Sequence, residues 1–87
     1  MTQSIDEILT ERGKTYGDFT SHAAITQHLK EYFRDKREGR PMSPVAWEAL
    51  DMIAHKIARI LNGNANHRDS WDDIAGYARL AADRCKL

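Results

Sequence analysis

The sequence lacks the residues that would indicate several classes of small protein. Cys85 is its one cysteine, so no disulfide can form within the chain, and no CxxC or Cys/His spacing indicates structural zinc. The opening segment, MTQSIDEILTER, carries a charge every few residues and is neither a signal peptide nor a membrane span. We therefore expect a cytoplasmic protein with no membrane partner.

An excess of charge of either sign is also missing. Thirteen basic and thirteen acidic residues cancel, and they are interspersed along the chain. Most of the affinity of nucleic-acid-binding proteins comes from neutralising phosphates with a basic excess. The balance of charge therefore argues against a nucleic-acid partner.

The length allows one domain, residues 1–87, with a small core. A chain of 87 residues buries only about 60–65% of its unfolded surface. Trp47 and Met52 flank a polar row on their predicted helix, where large apolar groups indicate a cleft or a subunit contact. We therefore expect a homo-oligomer.

Four helices are predicted from caps, breakers and apolar spacing. Ser4 with Glu7 forms a capping box, and Ser43 precedes a proline at a first helical position. The helices are expected from about residue 5 to 12, from 20 or 21 to 38, from 44 to 61, and from 69 or 70 onwards. The stripe expected to face the core on the fourth helix is Trp71, Ile74, Ala78, Ala81 and Cys85. No segment alternates with period two, so the fold class is all-α, a small antiparallel bundle of about four helices.

Two of these helices carry rows of ionisable side chains at helical spacing. The rows are Glu48, Asp51, His55 and Arg59 on the third helix, and Asp69, Asp73 and Tyr77 on the fourth. Residues three or four apart share a helix face. Acids, bases and a phenol on neighbouring faces favour binding of a charged, ring-containing small molecule. The alternative is a pair of solvated faces with ordinary ion pairs.

The segment Tyr16-Gly17-Asp18-Phe19 separates the first two predicted helices. Gly17 permits a close backbone approach, and an aromatic side chain beside it could stack on a ligand. The alternative is a packed turn in which Tyr16 and Phe19 cover the end of the bundle.

The acids could instead form a magnesium site. Hard divalent cations need several carboxylate oxygens at one point, and the candidates are Glu48, Asp51, Asp69 and Asp73. Lys56 and Arg59 lie on the same stretch, where cations compete with a metal and are available to phosphate. We therefore expect ligand binding without a metal cofactor, with Mg²⁺ as the alternative.

Three ordered motifs carry a resemblance that covers most of the chain from about residue 11 to residue 80. The motifs are Glu11-Arg12-Gly13-Lys14-x-Tyr16-Gly17-Asp18-Phe19, Asp51-x4-Lys56-x2-Arg59 and Asp69-Ser70-x2-Asp73-Ile74-Ala75-x-Tyr77. Together they resemble small phage and prophage proteins of undefined role, which are similar to nucleotide-modification-associated domains. More remotely they resemble MazG-like all-α nucleotide pyrophosphohydrolases.

The resemblance implies an oligomeric helical fold and a nucleotide-type ligand in the host cytoplasm. MazG-like enzymes gather Mg²⁺ with an E-E-x-x-E motif on one helix and an E-x-x-D motif on the next. Glu48-x-x-Asp51 matches the second motif, and the first is absent in its usual form. Binding is therefore favoured over metal-dependent catalysis.

The leading hypothesis is a phage-type protein that binds a nucleotide or sequesters a cyclic or NAD-derived immune nucleotide. Lys56, Arg59 and Arg68 would face phosphate, and Tyr16 or Tyr77 would stack on a base. Asp69 or Asp73 would accept hydrogen bonds from ribose or a base amine. The predicted ligand-binding set is Tyr16, Asp18, His55, Lys56, Arg59, Arg68, Asp69, Asp73 and Tyr77. The alternatives are a Mg²⁺-dependent pyrophosphohydrolase and a protein-binding structural module.

Overall fold

The computed structural model describes residues 2–86, which form a small bundle of four α-helices. No strand occurs in that part of the chain, so the predicted all-α fold class is confirmed. The helices are α1 (Ile5–Tyr16), α2 (Phe19–Arg37), α3 (Pro44–Asn62) and α4 (Arg68–Ala82).

Side-chain caps start the first three helices. Ser4, Asp18 and Ser43 each accept a hydrogen bond from the backbone N–H three residues further on, at 3.0–3.1 Å. Each cap satisfies a donor that has no partner within its own helix. The caps predicted at Ser4 and Ser43 are confirmed, and Asp18 places the start of α2 next to the end of α1.

The predicted end of α1 was wrong. The helix passes through Gly13 and continues to Tyr16, so most of the segment expected to be a linker is helical. A glycine inside a helix costs only about 1 kcal/mol, which packing can offset. The chain turns instead at Gly17, whose φ of 80° lies in the region that glycine adopts without strain.

The predicted start and inner face of α4 were also wrong. His67 precedes the helix, and Ser70 is not its cap but a residue of the first turn with 3% exposure. The more buried residues of α4 are Ser70, Ile74, Tyr77 and Ala81. Trp71, Ala78 and Cys85 are exposed, so the inner face is rotated from the predicted stripe. This face packs against α3. The indole of Trp71 instead donates to the carbonyl of Ala65 in the preceding loop.

The helix α3 lies at the centre and contacts the other three. The helices α2 and α3 are antiparallel. Asp51 of α3 pairs with Arg34 near the end of α2, whereas His55, one turn later in α3, contacts His22 near the start of α2. The buried apolar residues within residues 2–86 are the alanines 49, 54 and 58, and no large side chain there is fully buried. Alanine permits close helix approach but supplies little apolar area, so the core of one chain is thin.

The bundle is elongated, measuring 48 × 25 × 23 Å. The short helix α1 packs against α2 and α3 rather than α4. Within residues 2–86, no helix combines the length and apolar character needed to cross a membrane.

Candidate functional site

A cleft of about 470 Å³ opens where α1 and the start of α2 meet α3. That volume is in the range of small-molecule sites in proteins, which span about 300–1,000 Å³. The lining residues are Leu9, Arg12, Gly13, Tyr16, Gly17, Asp18, Phe19, His22, His55 and Arg59.

Two close backbone approaches hold the cleft in shape. The side-chain amide of Asn62 donates to the carbonyls of Tyr16 at 3.0 Å and Asp18 at 2.8 Å. A Cβ atom added at Gly17 would collide with the carbonyl oxygen of Asn62, and one added at Gly63 would collide with the backbone around Tyr16. The glycines therefore allow the α1–α2 turn to sit directly on the end of α3, which fixes the cleft walls relative to each other.

The Arg59 guanidinium is a cation of the cleft that has no acidic partner among the described residues. Its Cζ lies 4.0 Å from the ring centroid of Tyr16, a cation–π contact across α3 and α1. Within residues 2–86, no carboxylate pairs with Arg59 or with Arg12, and neither donates a hydrogen bond to a protein acceptor. Guanidinium groups with unused donors are suited to bind a carboxylate or phosphate.

Two histidines meet in the inner part of the cleft. His22 Nε2 lies 3.3 Å from His55 Nδ1 and 3.3 Å from the hydroxyl oxygen of Thr26. The imidazole centroids are 4.5 Å apart with the planes at 77°. His22 is 6% exposed, and its buried Nδ1 has no hydrogen-bond partner among the described residues.

Both histidines are held in their neutral form. Burial, followed by the charges of Arg59, the second histidine, Lys56 and Lys30, lowers the pKa of His55 to about 4. Burial, followed by Arg59, Lys30 and Lys56, also lowers the pKa of His22. Burial disfavours the charged form because an imidazolium loses hydration, and nearby cations add repulsion. The cleft therefore presents guanidinium cations beside two uncharged imidazoles.

Aromatic surface remains available at the cleft edge. Phe19 is 77% exposed and stacks on His22, with centroids 6.1 Å apart and planes at 29°. Tyr16 is already in contact with Arg59 and with the edge of His67, whose Nε2 lies 3.4 Å from the tyrosine hydroxyl. Phe19 is therefore the aromatic residue of the cleft with an open face.

Comparison with protein families gives one match, to a domain of unknown function, DUF6378, over residues 1–85. The chain belongs to the DUF6378 family. No curated protein and no solved structure matches it. All four helices and every residue of the cleft fall within the DUF6378 match. The resemblance to phage proteins and MazG-like enzymes stays a prediction.

The structure brings four of the nine predicted ligand-binding residues into the cleft: Tyr16, Asp18, His55 and Arg59. Sequence reasoning missed Arg12 and His22 as members of this site. Helical spacing alone does not show that the face of α2 that carries His22 meets His55. Arg12 was predicted to lie at the end of α1, whereas it lies within the helix and its side chain lines the cleft.

The other five predicted residues lie elsewhere. Lys56 is buried and forms an ion pair with Asp73 at 3.0 Å, which joins α3 to α4. Arg68 is exposed and pairs with Asp72 one turn along its own helix at 3.1 Å. Asp69 is also exposed, 3.9 Å from His67. Tyr77 lines a second groove near the opposite end of α3.

The four acids of the magnesium alternative do not form a cluster. Asp51 pairs with Arg34 of α2 at 3.4 Å, and Asp73 pairs with Lys56. Glu48 lines the second groove. Across residues 2–86, no three His, Cys, Asp or Glu side chains are arranged to hold a metal ion. Cations therefore contact two of the acids that the enzyme alternative requires.

The second groove, about 430 Å³, lies between the start of α3 and the end of α4. Its lining residues are Pro44, Val45, Glu48, Ala49, Tyr77, Leu80, Ala81 and Arg84. Val45 and Leu80 are exposed there. Its walls are mainly apolar, in contrast with the charged and aromatic cleft.

Proposed function

We propose that the cleft between α1, α2 and α3 binds a nucleotide-type ligand. The observation that carries this proposal is the partly buried Arg59, which is held on the ring of Tyr16 and has no acceptor for its donors among residues 2–86. A side chain fixed by cation–π contact loses less conformational freedom when it binds an anion. An oxyanion of the ligand would supply the missing acceptor.

Two arginines on different helices support phosphate as the anion. Arg12 on α1 and Arg59 on α3 line the same cleft, and both have unused donors. The planar guanidinium matches two oxygens of one phosphate group. Lys56, by contrast, is occupied by Asp73, so we place the phosphate at the arginines rather than at the lysine.

The ring of the ligand would stack on Phe19. Its exposed face is continuous with the cleft, whereas Tyr16 is occupied by Arg59. Asp18 uses Oδ2 to accept from Ser21, which leaves Oδ1 to accept from a ribose hydroxyl or a base amine. Aromatic stacking on a base contributes about 1–3 kcal/mol and tolerates different bases.

We further propose that the ligand is held rather than cleaved, as expected of a protein that sequesters an immune nucleotide in the host cytoplasm. The ion pairs Arg34–Asp51 and Lys56–Asp73 support this, because they neutralise acids that a magnesium centre would need. The pyrophosphohydrolase alternative requires both pairs to open. The structural-module alternative leaves the unpartnered arginines of the cleft without a role.

Self-association is part of the same proposal. The accessible surface of one chain is 6689 Å², whereas a compact monomer of 10.0 kDa exposes about 5,200 Å². The radius of gyration is 15.0 Å against about 12 Å for a compact domain of this length. Covering the second groove with a second copy would bury Val45 and Leu80, and Glu48 and Arg84 at its rim carry complementary charges.

Titration calorimetry with AMP, GMP, CMP and UMP, in EDTA and at low salt, tests the binding proposal. We expect at least one of them to bind, and Arg59→Gln to weaken that binding about 10–100-fold, as for a lost charge-assisted hydrogen bond. Arg68→Gln is the matched control and should change affinity less than twofold. No binding of any of the four at millimolar concentration, or equal losses in both variants, would overturn the proposal. Product analysis with Mg²⁺ separates holding from cleavage.

A further inference from the structure

We propose that the His22–His55 pair makes the cleft selective for a ligand that ends in a phosphate monoester, because the pair takes up one proton when such a group binds. This inference rests on the proposed nucleotide binding at the same cleft and specifies the class of ligand. It assigns a role to two side chains whose contact the ligand-binding proposal leaves unexplained.

Hydrogen bonding within the pair limits where a proton can go. A neutral imidazole has one N–H donor and one acceptor nitrogen. If His22 carried its hydrogen on Nδ1, that donor would be buried without an acceptor, which is rare in proteins. His22 therefore donates from Nε2 to His55 Nδ1, and Thr26 shares the same hydrogen. This assignment leaves the hydrogen of His55 on Nε2, so His55 offers an N–H donor to an anion in the cleft.

The pair as a whole can accept one further proton. Protonation of His22 Nδ1 would create an imidazolium that keeps its Nε2–H bond to His55 as a stronger, charge-assisted bond. The added N–H has no acceptor among the described residues, so this stronger bond and the negative charge of the ligand must together offset the cost of a buried, unsatisfied donor. A second proton would place two cations with ring centroids 4.5 Å apart. Coulomb repulsion at that distance separates the two steps widely, so a bound dianion can promote only the first.

Cations on three helices disfavour this first protonation. Lys30 on α2 and Lys56 and Arg59 on α3 lower the pKa of both histidines, and Arg12 on α1 lines the same cleft. Asp18 also lines the cleft, but its carboxylate caps α2. On α4, Asp73 pairs with Lys56 and offsets part of its charge. The pair is therefore neutral in the free protein, and a dianion bound among these groups would cancel the net positive charge that disfavours its protonation.

Phosphate monoesters and diesters differ in the charge that they carry near neutral pH. A monoester has a second pKa of about 6. It is therefore mostly a dianion at neutral pH, and part of it is protonated at slightly lower pH. It can therefore bind as a dianion beside a protonated pair, with the proton taken from water or from the ligand itself. A diester keeps a single negative charge and supplies less compensation for the imidazolium. The pair consequently favours the monoester.

The test compares AMP with 3′,5′-cyclic AMP, which share the base and differ in phosphate class. Calorimetry at pH 6.5 in two buffers of different ionisation enthalpy gives the number of protons taken up. After correction for the proton that AMP itself carries at this pH, we expect about half a proton or more for AMP and less than about 0.2 for cyclic AMP. The affinity for the AMP dianion should fall about fivefold between pH 6 and pH 8.5.

His55→Gln and His22→Gln should each abolish proton uptake and make AMP affinity nearly independent of pH over that range. His28→Gln, an exposed histidine on α2, is the matched control and should keep both. Ring-proton NMR of the unsubstituted protein, with and without AMP, reports the titration of the same imidazoles directly. It decides the question if either glutamine variant fails to fold.

The outcomes separate the two proposals. AMP binding with no proton uptake, or equal uptake with cyclic AMP, would overturn the role of the histidine pair and leave nucleotide binding intact. Tighter binding of cyclic AMP than of AMP would also overturn it. Absence of binding by either nucleotide, and by GMP, CMP and UMP as well, would overturn both.

Discussion

Arg59 lies with its guanidinium carbon 4.0 Å from the ring centroid of Tyr16, although the two residues come from the third and first helices. The contact exists because Asn62, three residues after Arg59, donates to the backbone on both sides of Gly17. The end of α3 thus fixes both members of the pair. A cation held in this way needs little reorganisation before it meets an anion.

Removing the ring of Tyr16 should therefore weaken ligand binding without any direct contact to phosphate being lost. We expect Tyr16→Leu to reduce the affinity for the bound nucleotide about 3–10-fold, since a cation–π contact contributes about 0.5–2 kcal/mol. Tyr32→Leu removes a similar contact, with Lys36 on exposed α2 surface, and should have no effect. Equal affinities of Tyr16→Leu and the unsubstituted protein in calorimetry would show that ligand binding by Arg59 does not depend on the ring of Tyr16.

Two glycine substitutions should have opposite effects on stability. Gly17→Ala places a Cβ against the carbonyl of Asn62 at a φ of 80°, and we expect a loss of about 2–3 kcal/mol. Gly13→Ala has open space within α1 and should gain about 0.5–1 kcal/mol. Urea unfolding followed by circular dichroism measures both. A neutral Gly17→Ala would mean that the turn does not approach α3 as closely as the structure shows.

The buried lysine should prove structural rather than ligand-binding. Lys56→Met keeps the aliphatic stem of the side chain and removes its charge, and Asp73 is half-exposed and can be solvated. We expect a loss of about 1 kcal/mol or less in stability and a change of less than twofold in AMP affinity. A loss of affinity comparable to that of Arg59→Gln would return Lys56 to the phosphate site predicted from the sequence.

Stability should fall in mild acid because of His55. Its pKa is lowered from 6.5 to about 4 in the folded chain, so between these values the unfolded chain binds the extra proton. The free energy of unfolding therefore has no contribution from this group above pH 6.5 and decreases as the pH falls towards 4. For a partly buried group we expect a decrease of about 1–2 kcal/mol. Denaturation across this pH range should show a smaller decrease for His55→Gln, and identical slopes would contradict the shift.

Self-association should depend on the second groove. Sedimentation at tens of micromolar, roughly the range where weak association is visible, should give a mass above that of one chain. Leu80→Glu places a charge among the apolar side chains of the groove and should shift the protein towards monomer. Leu61→Glu changes an exposed leucine outside the groove and is the matched control. A monomer at all concentrations, or equal effects of both substitutions, would rule out this interface.

Local sequence was sufficient to predict most of the helical framework. Ser43 followed by Pro44 marks the start of α3 by a hydrogen bond and a fixed φ, both of which depend on a few neighbouring residues. The same kind of signal failed at Gly13 and at Ser70. At Gly13 the cost of continuing the helix is small. At Ser70 the buried side chain lies in the interface with α3, which no capping pattern contains.

The residues of the cleft also divide into those that local sequence predicts and those that only helix packing brings together. Tyr16, Asp18, His55 and Arg59 were predicted from residue type and spacing on their own segments, and the tertiary structure places them together. The pairing of His22 with His55, and of Lys56 with Asp73, was decided only by how the helices pack. Helical periodicity tells which residues share a face of one helix. It does not tell which face of another helix they meet, because that depends on the sum of many weak packing contacts across the bundle.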